Sequence, residues 1–214
     1  MMVEDQSEGL KFYYAPRTRS AVVLWMLEEL GAPYEIELID LKAGAQHAPD
    51  YLAINPMGKV PAISHNGAAV TESAAILCYL ADAFPQAGLA PAIGDPRRGP
   101  YLKWLFYSSA CIEPAMIDKA ADRPPTPRAM TGWGSYDLVI ETLRDAVGKA
   151  APYLLGDRFT TADVAIGSGL RFGIGFKLIP ELPEFVSYIK RFEERPALQR
   201  QMAIEENYAR QMPR

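Results

Sequence analysis

The chain has 214 residues, 49% of them hydrophobic, enough to bury one large core or two small ones. A net charge of −4 and a pI near 5.3, with no extended Lys/Arg run, exclude general nucleic-acid binding, which needs a basic face. The longest apolar run, Ala21–Leu27, is far too short to cross a bilayer, and Cys78 and Cys111 stand at no metal-ligand spacing.

The polar, acidic start Met1–Gly9 is no signal peptide and reads as a disordered tail. So few cysteines fit a reducing cytoplasm, where the chain is expected. Lys11–Tyr14 is β-rich and Pro16 ends it. Thr18 or Ser20 can cap a helix that runs to about Leu30, where Gly31 stops it. Tyr34–Leu41 alternates Ile36, Leu38 and Leu41 with Glu35, Glu37 and Asp40, the pattern of a half-buried strand. A short helix over Pro49–Ile54 precedes two strands, Val60–Ser64 and Ala68–Thr71, joined by an Asn66-Gly67 hairpin turn. Thr71–Phe84 is a strongly apolar helix with Cys78 in its core face.

The order so far is β-α-β-α-β-β-α. Residues 1–85 carry 5 Lys/Arg against 11 Asp/Glu, and residues 86–214 carry 17 against 15. The shift falls on a Pro/Gly-rich stretch, so a linker over 86–99 is expected between domains at 10–85 and 100–214. Beyond it nearly everything reads helical. Pro100–Ile117 carries apolar residues at helical spacing, and Pro124–Pro127 breaks the pattern. Tyr136, Val139, Ile140, Leu143 and Val147 form an amphipathic stripe. Thr160-Thr161-Ala162-Asp163 is a capping box opening a helix to about Leu170. Phe185–Arg195 is a surface helix ended by Pro196.

The chemistry concentrates in the first part. Pro61 opens an apolar strand and has no N–H to donate, which leaves the backbone of Val60 free to pair with a ligand. X-Pro is also the common place for a cis bond. Glu72-Ser73 then opens the apolar helix, and a helix N-terminus suits a carboxylate ligand. Two such platforms can hold a small extended peptide by its main chain and its acid group.

Leu10–Phe84 resembles the thioredoxin-like glutathione-binding domain of the cytosolic glutathione transferases, and the remainder resembles their helical domain. The resemblance implies an α/β plus all-α fold, with glutathione as co-substrate and no metal. It implies that Val60 and Pro61 meet the cysteine of glutathione, that Glu72 and Ser73 hold its γ-glutamyl end, and that Gln46 and Lys59 are candidates for its glycine carboxylate. The capping box resembles the family's folding motif and supports the family, not the chemistry. His47 and His65 read as polar surface residues.

A glutathione enzyme must make a thiolate near neutral pH from a thiol titrating near 8.5. A hydroxyl donor and a guanidinium at a helix N-terminus supply that stabilisation. Aligned on Leu24–Leu27, the tyrosine-type enzymes place Tyr13 at their tyrosine and Arg19 at a thiolate-stabilising arginine. Serine-type enzymes point to Ser20 or Thr18, and in the cysteine-type class the cysteine position falls at Arg19. Tyr13 ranks first, followed by the cluster of Ser20, Thr18 and Arg19.

Tyr101, Trp104, Tyr107, Ser108 and Cys111 lie on one helix at spacings near three and four and are candidates for a pocket taking an apolar electrophile. The leading expectation is transfer of glutathione to such an electrophile. The alternatives are a glutathione-dependent peroxidase or disulfide reductase, and a non-catalytic interaction module on the same fold. The family implies a homodimer through the Glu72–Phe84 and Pro100–Ile117 helices. No nucleic acid or membrane partner is expected.

Overall fold

The computed structural model describes residues 9–124 and 126–212, so of the expected tail only Gly9 is included, and Pro125 of the loop at 124–127 lies outside. Four strands form one mixed sheet: β1 (Lys11–Tyr14), β2 (Glu35–Leu38), β3 (Ala62–His65) and β4 (Ala68–Thr71), in the order β2-β1-β3-β4. β1 runs parallel to β2 and antiparallel to β3, and the β3–β4 hairpin turns at Asn66-Gly67, both at positive φ. Alternation along β1 sorts the layers. Phe12 and Tyr14 join the main core with α1 (Ser20–Leu30) and α3 (Ser73–Ala83), while Tyr13 packs on the opposite face against Tyr51 of α2 (Pro49–Ile54). This is the thioredoxin-like arrangement, followed by helices.

β2 stops at Leu38, short of the expected Leu41, because the Asp40 carboxylate accepts from the N–H groups of Lys42 and Ala43 and turns the chain. The expected single helix to Ile117 is two helices, α4 (Arg98–Tyr107) and α5 (Glu113–Ala120), joined by a π-turn over Ser108–Ile112. Pro114 cannot donate to the preceding turn and crowds it, and the wider winding accommodates the ring.

The helical part continues with α6 (Tyr136–Lys149), α7 (Thr161–Gly175), α8 (Pro183–Glu193) and α9 (Pro196–Gln211). α7 extends beyond Leu170 despite its glycines. A Cβ on Gly167 would lie 3.1 Å from Phe192 and 3.3 Å from Trp25 of α1, so glycine lets the helix approach the first unit closely. Pro196 both ends α8 and opens α9, since proline is tolerated where no helical N–H partner is needed.

One apolar core runs through both parts, from Phe12 and Trp25 to Leu170 and Phe192. α9 is fastened to α1 by ion pairs of Arg195 with Glu29 and Arg200 with Glu28, both at 2.6 Å. At the start of α7, buried Asp163 accepts from the N–H groups of Leu154 and Thr160 and from the hydroxyls of Tyr188 and Thr160. Burial lifts its pKa, and these donors counter the lift.

Candidate active site

The strand registers bring three segments together. Tyr13 lies opposite Ala62, and Ala62 opposite Thr71, so continuing both ladders by two residues sets Val60 between Ala15 and Ser73. The Val60–Pro61 bond is cis, as expected for X-Pro at this place. The ladders end at Ala62, and no hydrogen bond among the described residues uses the backbone of Val60. Its N–H and C=O remain available for an added peptide chain. The preceding carbonyl, Lys59, is held from behind by the Tyr51 hydroxyl and the Asn55 amide at 2.5 and 2.7 Å. Burial pushes the Tyr51 phenol up to about 12, which keeps it a neutral donor.

Glu72 sits at φ 66°, ψ 118°, left-handed territory where a residue with a Cβ is strained by about 1–3 kcal/mol. Its exposed carboxylate makes no ion pair among the described residues. Ser73 begins α3, and its hydroxyl is without a partner there, beside the open N–H groups of the helix end. Gln46 lies on a 3₁₀ turn, Ala45–His47, packed against the Gly58 bend. Its side-chain Oε1 is buried with no hydrogen bond among the described residues, a polar atom that a ligand could satisfy. Lys59 is exposed and unpaired among the described residues.

Between β1 and α1 the loop carries the other candidates. The Thr18 hydroxyl has two acceptors in reach for its one proton, the Ala15 carbonyl at 2.7 Å and the Ser20 hydroxyl oxygen at 3.0 Å, and it accepts from the Ser20 N–H at 3.1 Å. The N–H groups of Thr18 and Arg19 form no hydrogen bond among the described residues. Ser20 itself is fully buried and reaches the site only through Thr18. Arg19 is no free cation. It forms a bidentate pair with Glu113 of α5, at 2.6 and 3.2 Å, and lies 4.0 Å above the Phe172 ring of α7. Tyr13 is 7% exposed and meets Tyr51 edge-on at 5.6 Å, and its hydroxyl is without a partner among the described residues.

The five expected pocket residues do not converge. Tyr101 is wholly buried, a correction: its ring belongs to the core. Trp104 is nearly buried, and the Ser108 hydroxyl is spent on the Leu105 carbonyl. Tyr107 and Cys111 line one cavity among the described residues, about 520 Å³, walled also by Trp133, Leu138 and Thr142. None of its lining comes from the β1–α1 loop. Burial raises the Cys111 thiol pKa there. The π-turn changes which residues share a face, so a stripe counted at regular helical spacing misplaces them.

Sequence reasoning missed Glu113, Phe172, Phe176, Arg17 and Glu205. The Phe172 and Phe176 rings lie 4.5 Å apart and tilted by 31°; Phe172 is the ring under Arg19, and half of Phe176 is exposed. None of the five stands within a local motif. Glu113, Phe172 and Glu205 meet the loop through contacts that span much of the chain, and no spacing announces them.

Residues 8–82 match the family model of the glutathione S-transferase N-terminal domain. Glutathione S-transferase GstA of Escherichia coli O157:H7 is 30% identical over 204 residues, covering 92% of this chain and 98% of that one. Disulfide-bond oxidoreductase YfcG of Escherichia coli K12 is 26% identical over 203 residues, covering 88% and 92%. The crystal structure of a glutathione transferase family member from Pseudomonas fluorescens Pf-5, with two glutathione bound, superposes with a TM-score of 0.74 at 27% identity, covering 91% and 92%. These likenesses run through sheet and helices alike, and the chain belongs to the glutathione S-transferase family.

Proposed function

We propose that the chain is a glutathione transferase, which joins the sulfur of glutathione to an apolar electrophile. The observation that supports this reading is a set of groups without a partner among the described residues: the backbone of Val60 where β3 begins, the Glu72-Ser73 helix start that follows β4, and the Gln46 oxygen on the turn packed against Gly58. They match the chemistry of a short peptide with an acid at each end. Val60 pairs with the ligand's main chain, next to Pro61. The Glu72 carboxylate takes the γ-glutamyl ammonium. The Ser73 hydroxyl and the α3 N–H groups take the adjoining carboxylate. Lys59 and Gln46 hold the glycine end.

Glutathione supplies the nucleophilic thiol, which the chain must keep ionised. Thr18 is the group best placed to do so. It sits at the positive end of α1, and the hydrogen bond it accepts from the Ser20 N–H polarises its hydroxyl. Turning that hydroxyl from the Ala15 carbonyl to a thiolate exchanges a neutral acceptor for a charged one, a bond roughly twice as strong. The thiol proton leaves to water. Arg19 has its charge offset by Glu113, so it shapes the site more than it charges it. The electrophile lies against Phe172 and Phe176, and its leaving group departs as the carbon–sulfur bond forms.

The test is the melting temperature with and without reduced glutathione. At 100 times its dissociation constant a ligand adds about 2.7 kcal/mol, a rise of roughly 5–10 °C at this size. No rise at millimolar glutathione sinks the reading in favour of a non-catalytic module. Ser73→Ala is expected to weaken glutathione binding about tenfold with little change in kcat, because a ligand carboxylate loses one donor. Isothermal titration checks it, and an unaltered Kd would remove Ser73 from the site.

Likeness to YfcG supports a second reading, glutathione-dependent reduction of a peroxide or mixed disulfide. Faster turnover of those substrates than of an aryl halide would favour it. In either case we place the protein in the cytoplasm as a homodimer joined through α3 and α4.

A further inference from the structure

We propose that Glu205 is a positioning residue for the thiol-activating loop: from the last helix it holds Arg17, and through Arg17 the hydroxyl of Thr18, in working geometry. The inference rests on the assignment of Thr18 made above. Its basis is a set of contacts between α9 and residues 14–17. One oxygen of the Glu205 carboxylate accepts the Tyr14 hydroxyl and the other accepts the Arg17 N–H. Arg17 stands at φ 60°, a conformation that L side chains avoid. The residue is exposed, so packing does not impose that conformation. What holds it is α9 at both ends. Glu205 takes its N–H, and its guanidinium reaches the carbonyls of Ala209 and Met212, at 3.1 and 3.5 Å, where the helix ends.

Thr18 follows directly, and its hydroxyl closes the same loop onto the Ala15 carbonyl. The peptide plane between Arg17 and Thr18 therefore sets where that hydroxyl points. Release of the Arg17 N–H lets the residue fall back to negative φ and swings Thr18 with it. The Tyr14 ring also meets Tyr208 of α9, 5.6 Å between centroids, so this one helix contacts the end of β1 and the loop together. The other polar ties between α1 and α9, Arg200 with Glu28 and Arg195 with Glu29, involve the far end of α1. They fasten the helix without reaching the loop and serve as the structural control.

The test compares the full-length wild type with Glu205→Ala, Glu205→Gln and Arg200→Ala. The pKa of the bound glutathione thiol is read from the ultraviolet absorbance of the thiolate, and kcat and KM are measured with an aryl halide. Glu205→Ala is expected to raise the thiol pKa by about one unit and to cut kcat about threefold at neutral pH, with KM for glutathione within about twofold. Glu205→Gln keeps an acceptor for the Arg17 N–H and is expected to rise by about half as much. Arg200→Ala is expected to lower the melting temperature and leave the thiol pKa where it was. The proposal is overturned if the glutamine variant, or a folded alanine variant, titrates like the wild type. It is overturned too if Arg200→Ala moves the pKa equally. A wild type that binds glutathione without ionising it would instead sink the Thr18 assignment, and this inference with it.

Discussion

Thr18→Ala is expected to raise the thiol pKa of bound glutathione by about two units and to cut turnover of an aryl halide about 25-fold at neutral pH. A free thiol titrates near 8.5, and moving it two units takes roughly 2.7 kcal/mol of preferential thiolate stabilisation. A polarised hydroxyl at a helix N-terminus is of the right size to provide most of that. The direction follows from the ionisation: the variant loses most below the lowered pKa, and the loss shrinks as pH rises toward 8.5, where both thiols ionise. Thr18→Ser keeps the hydroxyl and is expected to stay within a few-fold of the wild type. Tyr13→Phe removes a phenol oxygen with no partner among the described residues and keeps the ring against Tyr51. About twofold or less is expected there. A loss of about 25-fold in Tyr13→Phe, with Thr18→Ala near wild type, would transfer the role to Tyr13.

The largest effect on stability is expected at Asp163, whose replacement by alanine should cost about 4 kcal/mol. The side chain is fully buried, and its loss strands the N–H groups of Leu154 and Thr160 and the hydroxyl of Tyr188 without acceptors. Each stranded group costs about 1–3 kcal/mol. At this chain length about 2–4 °C is lost per kcal/mol, so the midpoint should fall by roughly 10 °C. Asp163→Asn retains the oxygen that serves Leu154 and Tyr188 but turns an amide donor toward the Thr160 N–H, and about half the loss is expected. Thermal unfolding followed by circular dichroism decides it. A fall of less than 3 °C for the alanine variant would mean that water or a rearranged turn satisfies the stranded groups.

Much of the first unit was legible because its signals are local. Asn66-Gly67 between two apolar runs specifies a hairpin, and both residues do adopt positive φ. Gly31 ends α1 in the left-handed conformation, with its N–H on the Leu27 carbonyl. Pro61 marks the end of a ladder since it lacks a donor, and Asp163 three residues after Thr160 marks a helix start. The apolar stripe of α6 places Val139, Leu143 and Val147 inward, as its 3.6-residue period requires.

The substrate side was not legible in the same way. Tyr101 and Trp104 read as a pocket stripe, yet an aromatic stripe is satisfied equally by core, and the neighbouring helices α3 and α7 cover Tyr101. Period counting fails across Ser108–Ile112, where the π-turn adds a residue and rotates everything after it. Arg19 reads as a candidate charge for the thiolate, and its acidic partner stands 94 positions away on α5.

The sequence by itself determined the family likeness, the βαβαββα order, the cis bond at Val60-Pro61 and the helix start at Ser73, the last two set by backbone chemistry within a few residues. Only the tertiary structure decided which side chains remain free to act. Arg19 is neutralised by Glu113, Ser20 is sealed behind Thr18, and Arg17 is held by Glu205. Those outcomes depend on carboxylates and helices that packing brings to the loop from the other end of the chain. A charge or hydroxyl is defined by its partner, and here the partners are distant in sequence.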